Sequence, residues 1–179
     1  MKTYFLTAII SVLPFYNADA QKFDNTPIKL NSIELLLGKW YEIARFDHKF
    51  ERGQDNVTAF YSQDADGDIH VSNVGWKDGK RKSANGTVKR TDVSGLLRVS
   101  FFWPIYSDYR ILMMGHDYSY ALIGGSSDDF LWILSRTPTM IQTDRNAALR
   151  EASRRGYKVK DLIWVNQSLN NDQLTQNSR

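Results

Sequence analysis

The sequence predicts an all-β protein: an eight-stranded antiparallel up-and-down β-barrel with one C-terminal α-helix packed outside it and a short final strand. Three observations carry this expectation. Short segments of alternating apolar and polar residues run from 39 to 136, the period of a half-buried strand. Gly- and Asp-rich breaks separate them at near-regular spacing, which favours hairpins over strand-helix-strand crossovers. After Pro138 the pattern becomes helical.

The strands read as 39–46, 56–63, 68–76, 83–91, 96–103, 108–115, 119–124 and 129–136. The turns between them include Asp64-Ala65-Asp66-Gly67, Asp78-Gly79, Asp92-Val93-Ser94-Gly95, Gly115-His116-Asp117 and Gly124-Gly125-Ser126. Gly and Asp tolerate the positive φ of tight turns. The helix reads as 143–155, with Thr143 as N-cap, Ala148, Leu149 and Ala152 on one stripe, and Gly156 at C′. Residues 161–165 read as the last strand, and the polar stretch from Asn166 to Arg179 as a loose tail.

Eight strands joined by hairpins can close on themselves and hold one small ligand. Closure also fixes which ends meet. Trp40 begins the first strand, the turn at 115–120 follows the sixth, and Arg136 ends the eighth, so all three belong at one end. Trp40 can lie across that end as a plug, with the Arg136 guanidinium over the indole for about 0.5–2 kcal/mol of cation–π energy. Spacing alone leaves open the alternative, an ordinary core tryptophan and an ordinary surface cation.

Residues 1–20 have the form of a signal peptide: Lys2, an apolar run from Tyr4 to Phe15, then Ala18-Asp19-Ala20. The run is shorter than the roughly 20 residues that span a bilayer. The expectation is an exported protein, periplasmic or secreted, with residues 21–179 as a single domain. A chain of that length buries about 68–70% of its unfolded surface. The formal net charge of +3 argues against nucleic acid as an obligatory partner. There is no cysteine, which excludes disulfides and thiol chemistry and leaves no thiol for a lipid anchor.

The stretches "GKWYEIARFDHKFERG" (38–53), "DYSYALIGG" (117–125) and "LWILSRTPT" (131–139) resemble the three conserved motifs of the lipocalin family, in order and at matching strand positions. Over roughly residues 30–166 the chain is similar to bacterial lipocalins and to apolipoprotein D. In the second motif Tyr118 and Tyr120 stand two apart, where many animal lipocalins space them by three. The resemblance implies structural roles for Gly38, Trp40, Asp117, Tyr118 and Arg136. It also implies transport or storage of a small hydrophobic ligand, a fatty acid or lysophospholipid, with no cofactor. By the match to apolipoprotein D the ligand would meet Ala59, Tyr61, Val71, Asn73, Val99, Phe101, Tyr109, Ile111 and Met113.

Strand alternation places Trp132, Leu134 and Arg136 on one face and Ile133 on the other, towards the helix. Trp132 therefore joins the candidate ligand-binding residues. The same alternation, followed from Trp40, sends Glu42, Ala44 and Phe46 inward. Arg98, Ser100 and Arg110 then fall outside, which weighs against an integral membrane barrel. At the open end Lys77, Lys80, Arg81 and Lys82 make a basic rim able to take an anionic head group, while Phe46 and Phe50 form an apolar lip. Peripheral membrane contact and a homodimer are further partner readings.

No catalytic or metal residue is expected. His48, His70 and His116 lie on separate segments, the first and last at opposite ends of the barrel. The "DADGD" stretch at 64–68 starts like a calcium loop, but its twelfth position is Gly75 where a bidentate glutamate is required. A protein-interaction or stress-related envelope module, or an enzyme acting on a lipid, are the alternatives.

Overall fold

The computed structural model describes residues 23–170. The expected signal peptide and the end of the tail lie outside the described residues. Eight strands form the barrel: β1 (Gly38–Arg45), β2 (Asp55–Gln63), β3 (Ile69–Lys77), β4 (Lys80–Arg90), β5 (Leu96–Phe102), β6 (Ile105–Met114), β7 (Tyr120–Gly124) and β8 (Leu131–Ser135). Each is antiparallel to the next, β8 pairs with β1, and β1 pairs with β2, so the sheet closes. The helix α1 (Gln142–Arg154) follows, and β9 (Ile163–Trp164) pairs antiparallel with β1 at Ala44 and Arg45, beyond the stretch that pairs with β2.

Two hairpins run longer than the sequence suggests. β3 and β4 pair up to Lys77↔Lys80 around Asp78-Gly79, both at positive φ, as a two-residue hairpin requires. Lys80, Arg81 and Lys82 are therefore strand residues. β5 and β6 likewise extend to Phe102↔Ile105. At the other extreme, residues 159–161 form a single 3-10 turn, which shortens the expected last strand.

Of the four register shifts in the barrel, those in β1 and β6 change which way the expected residues face. In β1, Glu42 pairs with Leu134 and Ala44 with Ile133, leaving Ile43 as the extra residue. Trp40 sits in the inner cluster, whereas Ile43, Ala44 and Phe46 pack in the outer one against α1. The expectation that Ala44 and Phe46 face inward is thus corrected, and Phe46 cannot form a lip. In β6, Ile111 pairs with Ile123 and Met113 with Leu122. Leu112 is the extra residue there, and Met113 turns out to the helix side with it.

The helix begins one residue early, after Ile141, with no side-chain cap. Thr143 lies inside the first turn and is not the N-cap. Ala148 and Ala152 are fully buried and Leu149 packs beside them, as the stripe predicts. Gly156 takes φ +88°, the left-handed C′ position that glycine occupies without strain. Arg155 ties the helix end to the barrel: it donates to the carbonyls of Thr26 at 2.8 Å and Leu112 at 2.9 Å, and to Glu151 at 2.7 Å.

The hydrogen bonds from Arg154 and then Arg155 hold the Glu151 carboxylate down to about 2, from an ordinary 4.5. A carboxylate lowered in the folded state stabilises above its ordinary value and loses that contribution as pH falls towards the lowered one. Glu151→Gln is expected to flatten the acid limb of thermal unfolding in this window. An unchanged limb would show that the pair contributes nothing.

The start of the described chain is part of the fold, which the sequence reading missed. Ile28 donates to the Ile111 carbonyl at 2.8 Å, and a 3-10 turn at Ile33–Leu36 runs under the barrel. Nor are residues 166–170 loose. Gln167 is buried and donates to the carbonyls of Glu42 at 2.8 Å and Val57 at 2.9 Å.

Candidate functional site

The barrel has one closed end and one open end. At the closed end Trp40 is fully buried, and its Nε1 donates to the Leu36 carbonyl at 2.7 Å. The Arg136 guanidinium lies 3.7 Å from the indole centroid and donates to the carbonyls of Lys39 and Leu35, each at 2.9 Å. Gly38 precedes them at φ +91°, with Arg136 Nη1 3.4 Å from where a Cβ would stand. A side chain there would be strained and would crowd the guanidinium. The turn of Asp117 and Tyr118, both at positive φ, joins this end through the Arg136 N–H, which donates to the Ser119 carbonyl at 2.8 Å.

Above this floor lies a cavity of about 1010 Å³ opening at the other end. Of the ten expected ligand-binding residues, Ala59, Tyr61, Asn73, Val99, Phe101, Tyr109 and Trp132 line it. Val71 and Ile111 do not; they pack in the buried cluster around Trp40. Met113 is outside the barrel, displaced by the β6 bulge. Tyr61 donates to or accepts from Tyr109 across 2.8 Å between hydroxyls, and burial raises both phenols. Asn73 Oδ1 is buried with no partner among the described residues.

Lys77, Lys80 and Lys82 line the mouth; Arg81, expected beside them, does not line the cavity. Strand alternation explains the difference, since Arg81 sits between two cavity-facing lysines. Lys77 donates to the Arg52 carbonyl at 3.0 Å. Phe50 is at the mouth, as expected of the lip.

The side wall carries a polar cluster that alternation could not reveal. The β1 bulge turns Arg45 inward, three residues after Glu42, and the two pair at 2.6 Å. Arg45 also donates to the carbonyls of Glu51 at 2.8 Å and Gln54 at 3.1 Å, which ties down the loop between β1 and β2. Glu51 Oε2 accepts from Trp132 Nε1 at 3.1 Å and lies 3.0 Å from His48 Nε2. Burial, then the nearby Glu51 charge, pushes the Glu42 carboxyl well above the usual range. Burial acts to raise Glu51, but its contacts with His48 and Trp132 and the nearby Arg45 guanidinium outweigh it and hold the carboxyl down. His48 and Phe130 add aromatic rings beside Trp132, with centroids 5.1 and 6.1 Å from it. His48 and His116 do lie at opposite ends, and the "DADGD" stretch is a turn in which Asp64 Oδ1 accepts from the N–H groups of Asp66 and Asp68. No described group of His, Asp and Glu residues is arranged to hold a metal.

The family model of the lipocalin-like domain matches residues 32–167. The chain is a lipocalin. This lipocalin is 46% identical to Outer membrane lipoprotein Blc of Citrobacter freundii, and 44% identical to that of Escherichia coli (strain K12). Each match runs over 135 residues, 73% of this chain and 76% of the relative. It is 30% identical to apolipoprotein D of Mus musculus over 145 residues, 74% of this chain and 76% of the relative. Among solved structures, insecticyanin from the tobacco hornworm Manduca sexta shares the fold, with a TM-score of 0.67 at 18% identity over 81% of this chain and 85% of that one.

Lipocalins bind small hydrophobic ligands, and the family is generally one of binding proteins and not of enzymes. One expectation is overturned. The bacterial relatives are outer membrane lipoproteins, so an unanchored destination in the periplasm or medium is withdrawn for this lipocalin. The lack of cysteine in its sequence does not by itself restore it. No described helix is long and apolar enough to cross a membrane.

Proposed function

We propose that the cavity carries a long-chain amphiphile, a fatty acid or a lysophospholipid, with the acyl chain inside and the head group at the mouth. The observation that carries this is the cavity itself: about 1010 Å³, open at one end above a sealed floor. That is at the top of the ~300–1,000 Å³ range of small-molecule sites, large enough for a chain that fills the barrel. Burying about 14 methylenes at ~0.8 kcal/mol each contributes roughly 11 kcal/mol, against an association cost of about 4–15 kcal/mol. With the association cost at the low end of that range the net is about −7 kcal/mol, which corresponds to micromolar affinity.

Orientation follows from charge. Lys77, Lys80 and Lys82 surround the entrance, whereas Glu51, whose carboxylate is held ionised, lines the interior and repels an anionic head that descends.

The test is organic extraction of the purified protein followed by mass spectrometry, with titrations of anionic and neutral single-chain amphiphiles. Lipid is expected in the extract, and Lys80→Glu with Lys82→Glu is expected to weaken anionic ligands about tenfold or more while sparing neutral ones, since each charge near a surface contributes about 1 kcal/mol. An extract without lipid and no saturable binding reject the carrier function. Equal effects on both ligand types reject only the orientation.

A further inference from the structure

The open end carries more apolar surface than a ligand entrance needs. At the tip of the β5–β6 hairpin, Phe102, Trp103 and Ile105 are 68%, 82% and 70% exposed, and Phe50 on the loop between β1 and β2 is 73% exposed. Phe102, Ile105 and Phe50 border the mouth, but Trp103 does not line the cavity. A ligand inside the barrel therefore gives Trp103 no cover. Large apolar side chains grouped on a soluble surface mark an interaction site.

Charge identifies the partner. Lys77, Lys80 and Lys82 stand at the same end, and exposed Arg81 points away from the cavity beside them. Of the nearby acids, Asp47 pairs with Arg52 at 2.8 Å and Asp108 with Arg110 at 2.8 Å, while Asp78 on the β3–β4 turn is outnumbered by Lys77, Lys80, Arg81 and Lys82 around it. What remains is a basic margin around a protruding aromatic tip. Tryptophan at the level of the head groups with basic residues beside it suits an anionic lipid surface. A second copy of this chain would bring the same positive margin against itself.

We infer that the open end of the barrel docks on an anionic bilayer, with Trp103 and its neighbours entering the head-group layer and the lysines and Arg81 on the lipid charges. The mouth then faces the bilayer, where a single-chain amphiphile can pass between membrane and cavity without crossing water. Docking does not depend on which ligand the cavity holds.

The experiment is co-sedimentation of the purified protein with vesicles of equimolar phosphatidylglycerol and phosphatidylcholine, and with vesicles of phosphatidylcholine alone. Binding to the mixed vesicles is expected, weakening as salt rises. Trp103→Ser is expected to reduce that binding at least fivefold and Arg81→Glu severalfold. Both substitutions are at exposed positions outside the cavity, so circular dichroism and ligand titrations should match wild type. No binding to the mixed vesicles, equal binding to both kinds, or binding untouched by Trp103→Ser overturns the inference. So does light scattering that shows the wild type self-associating through a contact that Trp103→Ser removes.

Discussion

Replacing Trp40 with alanine is expected to lower the unfolding free energy by about 3–5 kcal/mol, the range for removing a large buried aromatic. The indole is fully buried, donates to the Leu36 carbonyl and lies under the Arg136 guanidinium. Its loss opens the floor and leaves a buried carbonyl and a half-buried cation without their partner. For a domain of this size a loss of that order lowers the melting temperature by roughly 6–20 °C. Arg136→Ala should cost less, because the indole still fills the floor. A double-mutant cycle between the two is expected to return a coupling of about 0.5–2 kcal/mol. A Trp40→Ala loss below about 1 kcal/mol would mean that the floor does not hold the barrel together.

Arg45→Ala is expected to cost about as much, roughly 3–5 kcal/mol, for a different reason. Removing one partner of a buried ion pair strands the other charge. Arg45 is almost wholly buried, and Glu42, its partner at 2.6 Å, sits close to Glu51. The carbonyls of Glu51 and Gln54 also lose a donor, so amide exchange across residues 47–54 should quicken. Replacing both members, Arg45→Met with Glu42→Met, is expected to recover much of the loss, since no buried charge is then left unpaired. If the double variant is no more stable than Arg45→Ala, the pair is not the source of the effect.

The closure of the barrel was legible because hairpin turns and alternation are local signals. Strand parity alone brought Trp40, Arg136 and the 115–120 turn to one end, although the first two are far apart in sequence. The errors in facing trace to the two bulges. Neither Ile43 nor Leu112 carries a mark that sets it apart from any other apolar strand residue, yet each shifts everything after it by one position. That is why Phe46 and Met113 were placed on the wrong face, and why Arg45 could not be named as the partner of Glu42. Hairpin length misled in the same way at Arg81, which an extended β4 turns out of the mouth. His48 and Glu51 join the cavity only because the first loop folds back over Trp132, a long-range contact with no local pattern, whereas Phe130, two residues before Trp132, follows from strand alternation. The 3-10 turn below the floor escaped notice because four residues carry too little periodicity.

The most direct test of the cavity as the binding site is isothermal titration calorimetry of a lysophospholipid into wild-type protein and Ala59→Trp. Ala59 lines the cavity and pairs with Trp40 in the sheet, so an indole there fills the space above the floor. Saturable micromolar binding to wild type, lost in Ala59→Trp while the fold is retained by circular dichroism, is the predicted result. Equal binding to both proteins would place the ligand outside the barrel and contradict the account.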